Sequence, residues 1–513
     1  MSELARLAGS VVCAGLPGAV LADGERRLLE DLRPGGILLF ARNVTTPGAT
    51  SSLVAAAQTA AGGDMPALVC VDQEGGRVVR LRFAQFPLPS AMALGATRDE
   101  ALAERAGAQL AGELLEVGAS VNFAPVLDLA LEPRNTVIGA RSLGDDPYRA
   151  GALGAALVRG MQGRGVVATV KHFPGHGSTV LDSHTALPVV GTDEATLRGR
   201  DLVPFRAALD AGARAVMTAH VVVKALDARS PATLSRAVLS GLLRDELAFD
   251  GVCFTDCLTM DAIARGVGTA RGAALALAAG ADAVVISNDL VHANEARDEI
   301  VRAVGARELS LPRLEEAAER VRRLRVWAAQ TRGGPQPEAS VSLMLAQAAV
   351  TVVRGDARLA LQHPVTVVSF EGNSSDGASD VRSERPSLSL ALRRRRLRSE
   401  VMRVPLEPSA AMLDMLLEVV ATQGERNVVA VARRAHLHPA QRRALGALFE
   451  LVPGAVAVSA LEPFDVPALR GARSVVCTYG DDEAAIEALA DVLAGRRVAT
   501  GRLPVALAHS PYA

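Results

Sequence analysis

Aromatic residues are scarce in this chain of 513 residues: one Trp, three Tyr and eleven Phe. So small a supply excludes an extended stacking platform for a long polymeric ligand. Net charge is equally scarce, because 55 Lys and Arg stand against 56 Asp and Glu and leave −1 at neutral pH. That balance predicts no basic face for nucleic acid and none for an anionic membrane surface. No apolar run reaches the ~20 residues free of charge and breakers that a bilayer span needs. The short apolar run after Arg6 in MSELARLAGSVVCAGLPG reads as a first strand, not as the core of a leader peptide. Cysteines number five, an odd count, and Cys13, Cys70, Cys253 and Cys477 lie in apolar strand-like runs. Reduced thiols and a cytoplasmic protein are therefore predicted. The phosphate-cradling pattern G-x-x-x-x-G-K-[ST] is missing as well, so no nucleotide cofactor is predicted.

What the chain does have is a concentration of titratable groups between Lys171 and Pro188, in KHFPGHGSTVLDSHTALP. Upstream, Val166–Val170 is a short apolar run that predicts a buried strand ending at Lys171–His172. Pro174, Gly175 and Gly177 then disfavour regular structure, which predicts a surface loop. His172, His176 and His184 share this broken segment, so a helical metal-binding face is not predicted, and no metal is expected. Asp182 and His184 stand two apart, on one face of an extended segment. A carboxylate so placed can hold the imidazole in one tautomer and raise its basicity, which makes the pair a candidate acid/base dyad. The alternative is a loop whose Asp and His only satisfy backbone groups.

Along the first two thirds, apolar strand-like runs alternate with longer Ala- and Leu-rich amphipathic stretches, the pattern of βα units on a parallel sheet. Eight runs are predicted as strands: 11–14, 36–40, 67–71, 121–125, 167–170, 215–218, 252–254 and 283–286. Eight parallel strands in this length predict a (β/α)8 TIM-type barrel, with a doubly wound sheet as the alternative. Polar residues follow several of the runs: Asp72, Lys171–His172, His220 and Asp256. Barrel active sites lie at that edge. Asp256, after the run 251–254, is positioned as a nucleophile would be, although a strand-end Asp also caps helices.

Several of these segments resemble glycoside hydrolase family 3, in its β-N-acetylglucosaminidase (NagZ-like) branch and two-domain form. The matching segments are KHFPGHG with Asp182-Ser183-His184, VDQEGGRVVR (71–80), NTVIGARS (135–142) and MTAH (217–220). TDCLTM (255–260) resembles the family's SDDLSM, with Cys257 where the second Asp stands. The resemblance implies retaining hydrolysis of terminal β-linked N-acetylglucosamine, as in cell-wall fragments. Asp256 would be the nucleophile, His184 the acid/base and Asp182 its orienting partner, while Asp72, Arg80, Arg141, Lys171 and His172 would bind the sugar. Two other readings use the same segments: a phosphorylase, in which phosphate replaces water, and a non-catalytic sugar-binding protein, suggested by Cys257. His176 is expected to shape the loop, and His220 to be either a site residue or a core histidine.

The breaker-rich stretch Thr331–Pro337 predicts a boundary, giving a barrel domain over 1–330, a linker over 331–340 and a second domain over 341–513. Strand-like runs at 365–370, 428–431 and 475–478, with a helical pattern at 410–420, predict a smaller α/β sandwich. It shows no catalytic constellation, and is expected to be structural or to wall the cleft. The Ser/Asp-rich 372–387 is expected to be a loop, and the basic run Arg393–Arg396 a solvated helix face.

Overall fold

The computed structural model describes residues 2–180, 187–287, 289–331, 341–372 and 386–507. Eight parallel strands close into a barrel: β1 (Val12–Gly15), β2 (Gly36–Leu39), β3 (Leu68–Val71), β4 (Val121–Asn122), β5 (Val167–Phe173), β6 (Ala215–Thr218), β7 (Val252–Cys257) and β8 (Ala283–Ile286). Each pairs with its neighbours in sequence, and β1 with β8. The predicted positions hold for all eight. Three strands end three residues from where they are predicted to: β4 stops at Asn122, not at Pro125, β5 runs past Val170 to include Lys171 and His172, and β7 runs past Phe254 to include Asp256.

Period-two alternation explains the layering. Val12, Ala14, Ile37 and Leu39 pack outward against the helices. Cys13, Leu38, Cys70, Val167, Met217, Phe254 and Val285 fill the interior with Phe123. There Phe123 and Phe254 meet edge to face at 5.3 Å, so the barrel is plugged, not a pore. The helices are locally specified too. Asp146, for example, accepts from the backbone N–H groups of Tyr148 and Arg149 at the head of Pro147–Gln162, with Pro147 in the first turn.

A second sheet follows: β9 (Thr351–Arg354), β10 (Val365–Glu371), β11 (Ser399–Pro405), β12 (Asn427–Ala432), β13 (Val456–Ser459) and β14 (Ser474–Cys477). Its order is β9-β14-β13-β12-β10-β11, parallel except for β9 at one edge. Apolar clusters cover both faces, as in an α/β sandwich. The basic run is partly engaged, because Arg395 pairs with Glu487 and Asp491 across to helix Glu483–Leu493. Residues 332–340 and 373–385 lie outside the described residues, and with them most of the expected linker and most of the Ser/Asp-rich segment.

The sheet is fastened to the barrel. The Ser90 hydroxyl donates to the Tyr479 carbonyl at 2.5 Å, and Arg502 N–H donates to the Ala96 carbonyl at 2.9 Å. The loops that follow β12 and β13 reach the barrel edge where the polar residues gather. Among the described residues no helix is long and apolar enough to cross a membrane.

Candidate active site

Two irregularities in strand pairing build the site. From Val170 to Phe173 three steps of β5 oppose two of β6, and from Phe254 to Cys257 three steps of β7 oppose two of β8. An extra residue in a strand bends it and re-aims a side chain. Lys171 and His172 fall in the first irregularity, Thr255 and Asp256 in the second. The expectation that the strand stops at Lys171–His172 is thus corrected: the pair is held inside β5, which fixes it more firmly than a loop would.

Asp256, Asp72, Arg80, Arg141, Lys171 and His172 all line one cavity of about 330 Å³ at the C-terminal ends of the strands. Its volume suits a small ligand. Phe40, Phe123, Met217 and Val285 are among its apolar lining. Cys257 N–H donates to Asp256 Oδ1 at 2.7 Å and orients that carboxylate. His220 is fully buried beneath, bonded through Nδ1 to Thr233 Oγ1 at 2.7 Å and through Nε2 to the Cys257 carbonyl at 2.9 Å. Of its two expected roles it takes the core one, propping the strand end that carries Asp256.

A row of alternating charges crosses the cavity wall. Lys171 Nζ lies 2.7 Å from Asp72 Oδ1 and 2.6 Å from Glu74 Oε1, and Glu74 receives both Nε and Nη2 of Arg141 at 2.8 Å. Lys171 is 2% exposed and Glu74 5%. Burial alone would neutralise them, yet Asp72 and Glu74 hold Lys171 above its ordinary value, and Arg141 and Lys171 hold Glu74 far below the usual carboxylate range. Arg141 therefore meets the cavity with its guanidinium already bidentate on Glu74.

Asp128 is the second organising carboxylate. It accepts from His172 Nδ1 at 2.6 Å and from the backbone N–H groups of His172 at 3.1 Å and His176 at 2.6 Å. Burial pushes Asp128 up, but His172 and His176 outweigh it and leave its carboxyl below the ordinary value. With Nδ1 of His172 committed to Asp128, a ligand in the cavity meets Nε2. His176 does more than shape the loop, because its ring also lines the cavity. Burial, only partly countered by Asp128, lowers its pKa to about 4, so it is neutral at pH 7.

Cys257 Sγ lies 2.8 Å from Ser287 Oγ and 3.0 Å from Thr259 Oγ1, at the cavity edge beside Asp256. Burial raises its pKa against those two hydrogen bonds, which keeps the thiol neutral. Arg80 lies over the Phe40 ring at 5.7 Å, and its backbone N–H donates to Gln73 Oε1 at 3.0 Å. Asp182 and His184 lie outside the described residues. Among the described residues no group of three or more His, Cys, Asp or Glu is placed to hold a metal ion.

Glu74 and Asp128 are the residues that the reading of the sequence missed, together with Arg434, His436 and Glu462 at the junction with the second domain. Glu74 and Asp128 each follow an apolar strand-like run by a few residues, the same signal that singled out Asp72.

Residues 11–324 match the Glycosyl hydrolase family 3 N terminal domain. Over 275 residues, 53% of this chain and 80% of the relative, the chain is 44% identical to a Beta-hexosaminidase of Pseudomonas aeruginosa. It is 40% identical to a Beta-hexosaminidase of Stenotrophomonas maltophilia over 304 residues, 58% of this chain and 87% of that one. Among solved structures, a glycoside hydrolase family 3 beta-N-acetylglucosaminidase from Paenibacillus sp. str. FPU-7 superposes with a TM-score of 0.92 at 34% identity, covering 99% of both chains. A barrel matched over its full circuit, and a likeness that runs on through the second sheet, make this glycoside hydrolase a member of glycosyl hydrolase family 3.

Proposed function

We propose that this protein is a retaining exo-β-N-acetylglucosaminidase that removes terminal β-linked N-acetylglucosamine from short glycosides such as cell-wall fragments. The observation that carries the reading is the convergence of Asp256 with Asp72, Lys171, His172 and Arg141 on one cavity of about 330 Å³. The names borne by the relatives and by the Paenibacillus structure support the acetamido sugar.

In the first displacement an Asp256 oxygen forms a bond to the anomeric carbon, the glycosidic bond breaks, and His184 gives its proton to the leaving oxygen. In the second, His184 takes a proton from water, the resulting oxygen attacks the anomeric carbon, and Asp256 leaves as carboxylate. Asp182 orients His184. Asp72 accepts from sugar hydroxyls and Lys171 donates to them, while His172 meets the sugar through Nε2; Arg80 and Arg141 complete the wall. A neutral His176 and a neutral Cys257 thiol add no charge beside Asp256.

The test is release of the aryl group from a chromogenic β-N-acetylglucosaminide by the wild type and Asp256→Ala, with and without phosphate. Turnover without phosphate that is lost by at least about 10³-fold in the variant is the expected result. Turnover that depends on phosphate would make the protein a phosphorylase, and sugar binding without turnover would make it a binding protein.

A further inference from the structure

The segment Pro133–Arg141 ends in a residue of the charge row, and side chains of the second domain grip it at three points. His436 Nε2 donates to the Pro133 carbonyl at 3.0 Å, Arg434 Nη2 to the Thr136 carbonyl at 3.3 Å, and Glu462 Oε1 accepts from Ala140 N–H at 3.2 Å. Arg434 and Glu462 also pair with each other at 2.9 Å, and each is 5% exposed or less. On its other side the segment meets the cavity. Arg141 pairs with Glu74, and Asn135 Nδ2 donates to the His176 carbonyl at 2.9 Å.

Gly139 shows how close the grip is. Its φ is +43°, and a Cβ there would lie 2.2 Å from Glu462 Oε1, so only glycine admits the carboxylate to the Ala140 N–H. Burial opposes the charge on Glu462, but Arg434 outweighs it and lowers the carboxyl to about 2.

We propose that Glu462 of the second domain is a positioning residue for sugar binding: by holding the Gly139–Ala140 turn it sets the place of Arg141, and through Glu74 that of Lys171. The inference rests on the sugar-binding role given above to the charge row. Glu462 lies outside the matched region 11–324, so the second domain completes a binding wall that the barrel begins. Removing the carboxylate leaves Arg434 buried without its ion-pair partner and Ala140 N–H without its acceptor, and the turn relaxes.

The experiment compares wild type, Glu462→Gln, Glu462→Ala and Gly139→Ala on chromogenic β-N-acetylglucosaminide and β-glucoside, with hydrogen exchange followed on peptides covering 133–141. Gln keeps the acceptor for Ala140 N–H; Gly139→Ala keeps Glu462 but pushes it away. Expected in Glu462→Ala and Gly139→Ala are a KM raised about tenfold (1.4 kcal/mol) with kcat within about threefold, and faster exchange over 133–141. Gln should restore KM to within about threefold of wild type. A role confined to stability would lower the melting temperature and leave KM of the folded protein unmoved, and that result overturns the proposal. Should Glu462→Ala fail to fold, Gly139→Ala decides on the same terms. A wild type that cleaves only the glucoside removes the acetamido reading alone, since the KM ratios are then taken on the glucoside. A wild type that neither cleaves nor binds either sugar overturns both.

Discussion

Replacing Glu74 by Gln isolates the charge at the centre of the row while keeping its volume. The carboxylate is 5% exposed and takes two hydrogen bonds from Arg141 at 2.8 Å and one contact from Lys171 at 2.6 Å, themselves 8% and 2% exposed. The amide can accept from one cation but turns its NH2 toward the other, so Lys171 keeps Asp72 as its counter-charge while Arg141 loses its bidentate carboxylate. Breaking a buried pair by removing one partner costs about 3–5 kcal/mol. Asp72 still faces Lys171, which sets the expected loss near the lower end, about 3 kcal/mol. In a barrel-sized domain this lowers the melting temperature by about 5 °C or more. KM for the aryl glycoside should rise by at least about tenfold as Arg141 and Lys171 separate. The pH dependence has a definite sign. Glu74 is held far below its ordinary value, so its contribution is present above the unfolded value of about 4.3 and is lost as pH falls through the folded one. Melting followed by circular dichroism should therefore show a gap between wild type and variant that is flat from about pH 5 to 8 and narrows in acid. A melting temperature within about 1 °C of wild type, together with KM within about twofold, would refute the role assigned to the row.

Two further outcomes are expected. Both ring nitrogens of His436 face acceptors, Asp465 Oδ1 at 2.7 Å and the Pro133 carbonyl at 3.0 Å, and although burial opposes the charge, Asp465 and Glu462 hold its pKa above the ordinary value. Its stabilisation is full below about pH 6.5 and is lost as pH rises through the folded pKa, so the melting gap between wild type and His436→Gln should close toward alkaline pH; a gap that widens with pH would contradict the imidazolium assignment. The five cysteines are free; burial raises the thiol pKa of Cys70, Cys257 and Cys477, and that of Cys253 to about 12. Ellman's reagent at pH 7.5 should find no fast-reacting thiol in the native protein and five in urea, and one rapid native thiol would show that Cys257 is more acidic than its surroundings imply.

The barrel was legible because its signals are local. β-branched apolar runs recur between amphipathic stretches, and each run announces a strand whatever it pairs with. Bulges are not local. The extra residues at Lys171–His172 and Thr255–Asp256 exist only relative to β6 and β8, so one chain read alone places Lys171 past a strand end. The grip of the second domain is less legible still, since Glu462 meets Ala140 across 322 positions of sequence and no spacing rule links them.

Glu74 is a different case, because an argument from charge would have found it. Arg141 and Lys171 were both assigned to sugar binding, and Asp72 was the only carboxylate assigned to it with them. Two desolvated cations beside one anion is an arrangement a folded protein avoids. The site therefore required a second carboxylate within reach of both, and the chain that leaves β3 with Asp72 at the cavity brings Glu74 to the same wall two residues later. Asp128 follows by the same reasoning: a His172 ring fixed in the wall needs an acceptor behind Nδ1, and the strand between β3 and β5 is the one whose loop, running from Phe123 to Asp128, passes beneath it. Counting buried charges by sign, once a fold has put candidates on one edge, recovers partners that motif and periodicity leave unseen.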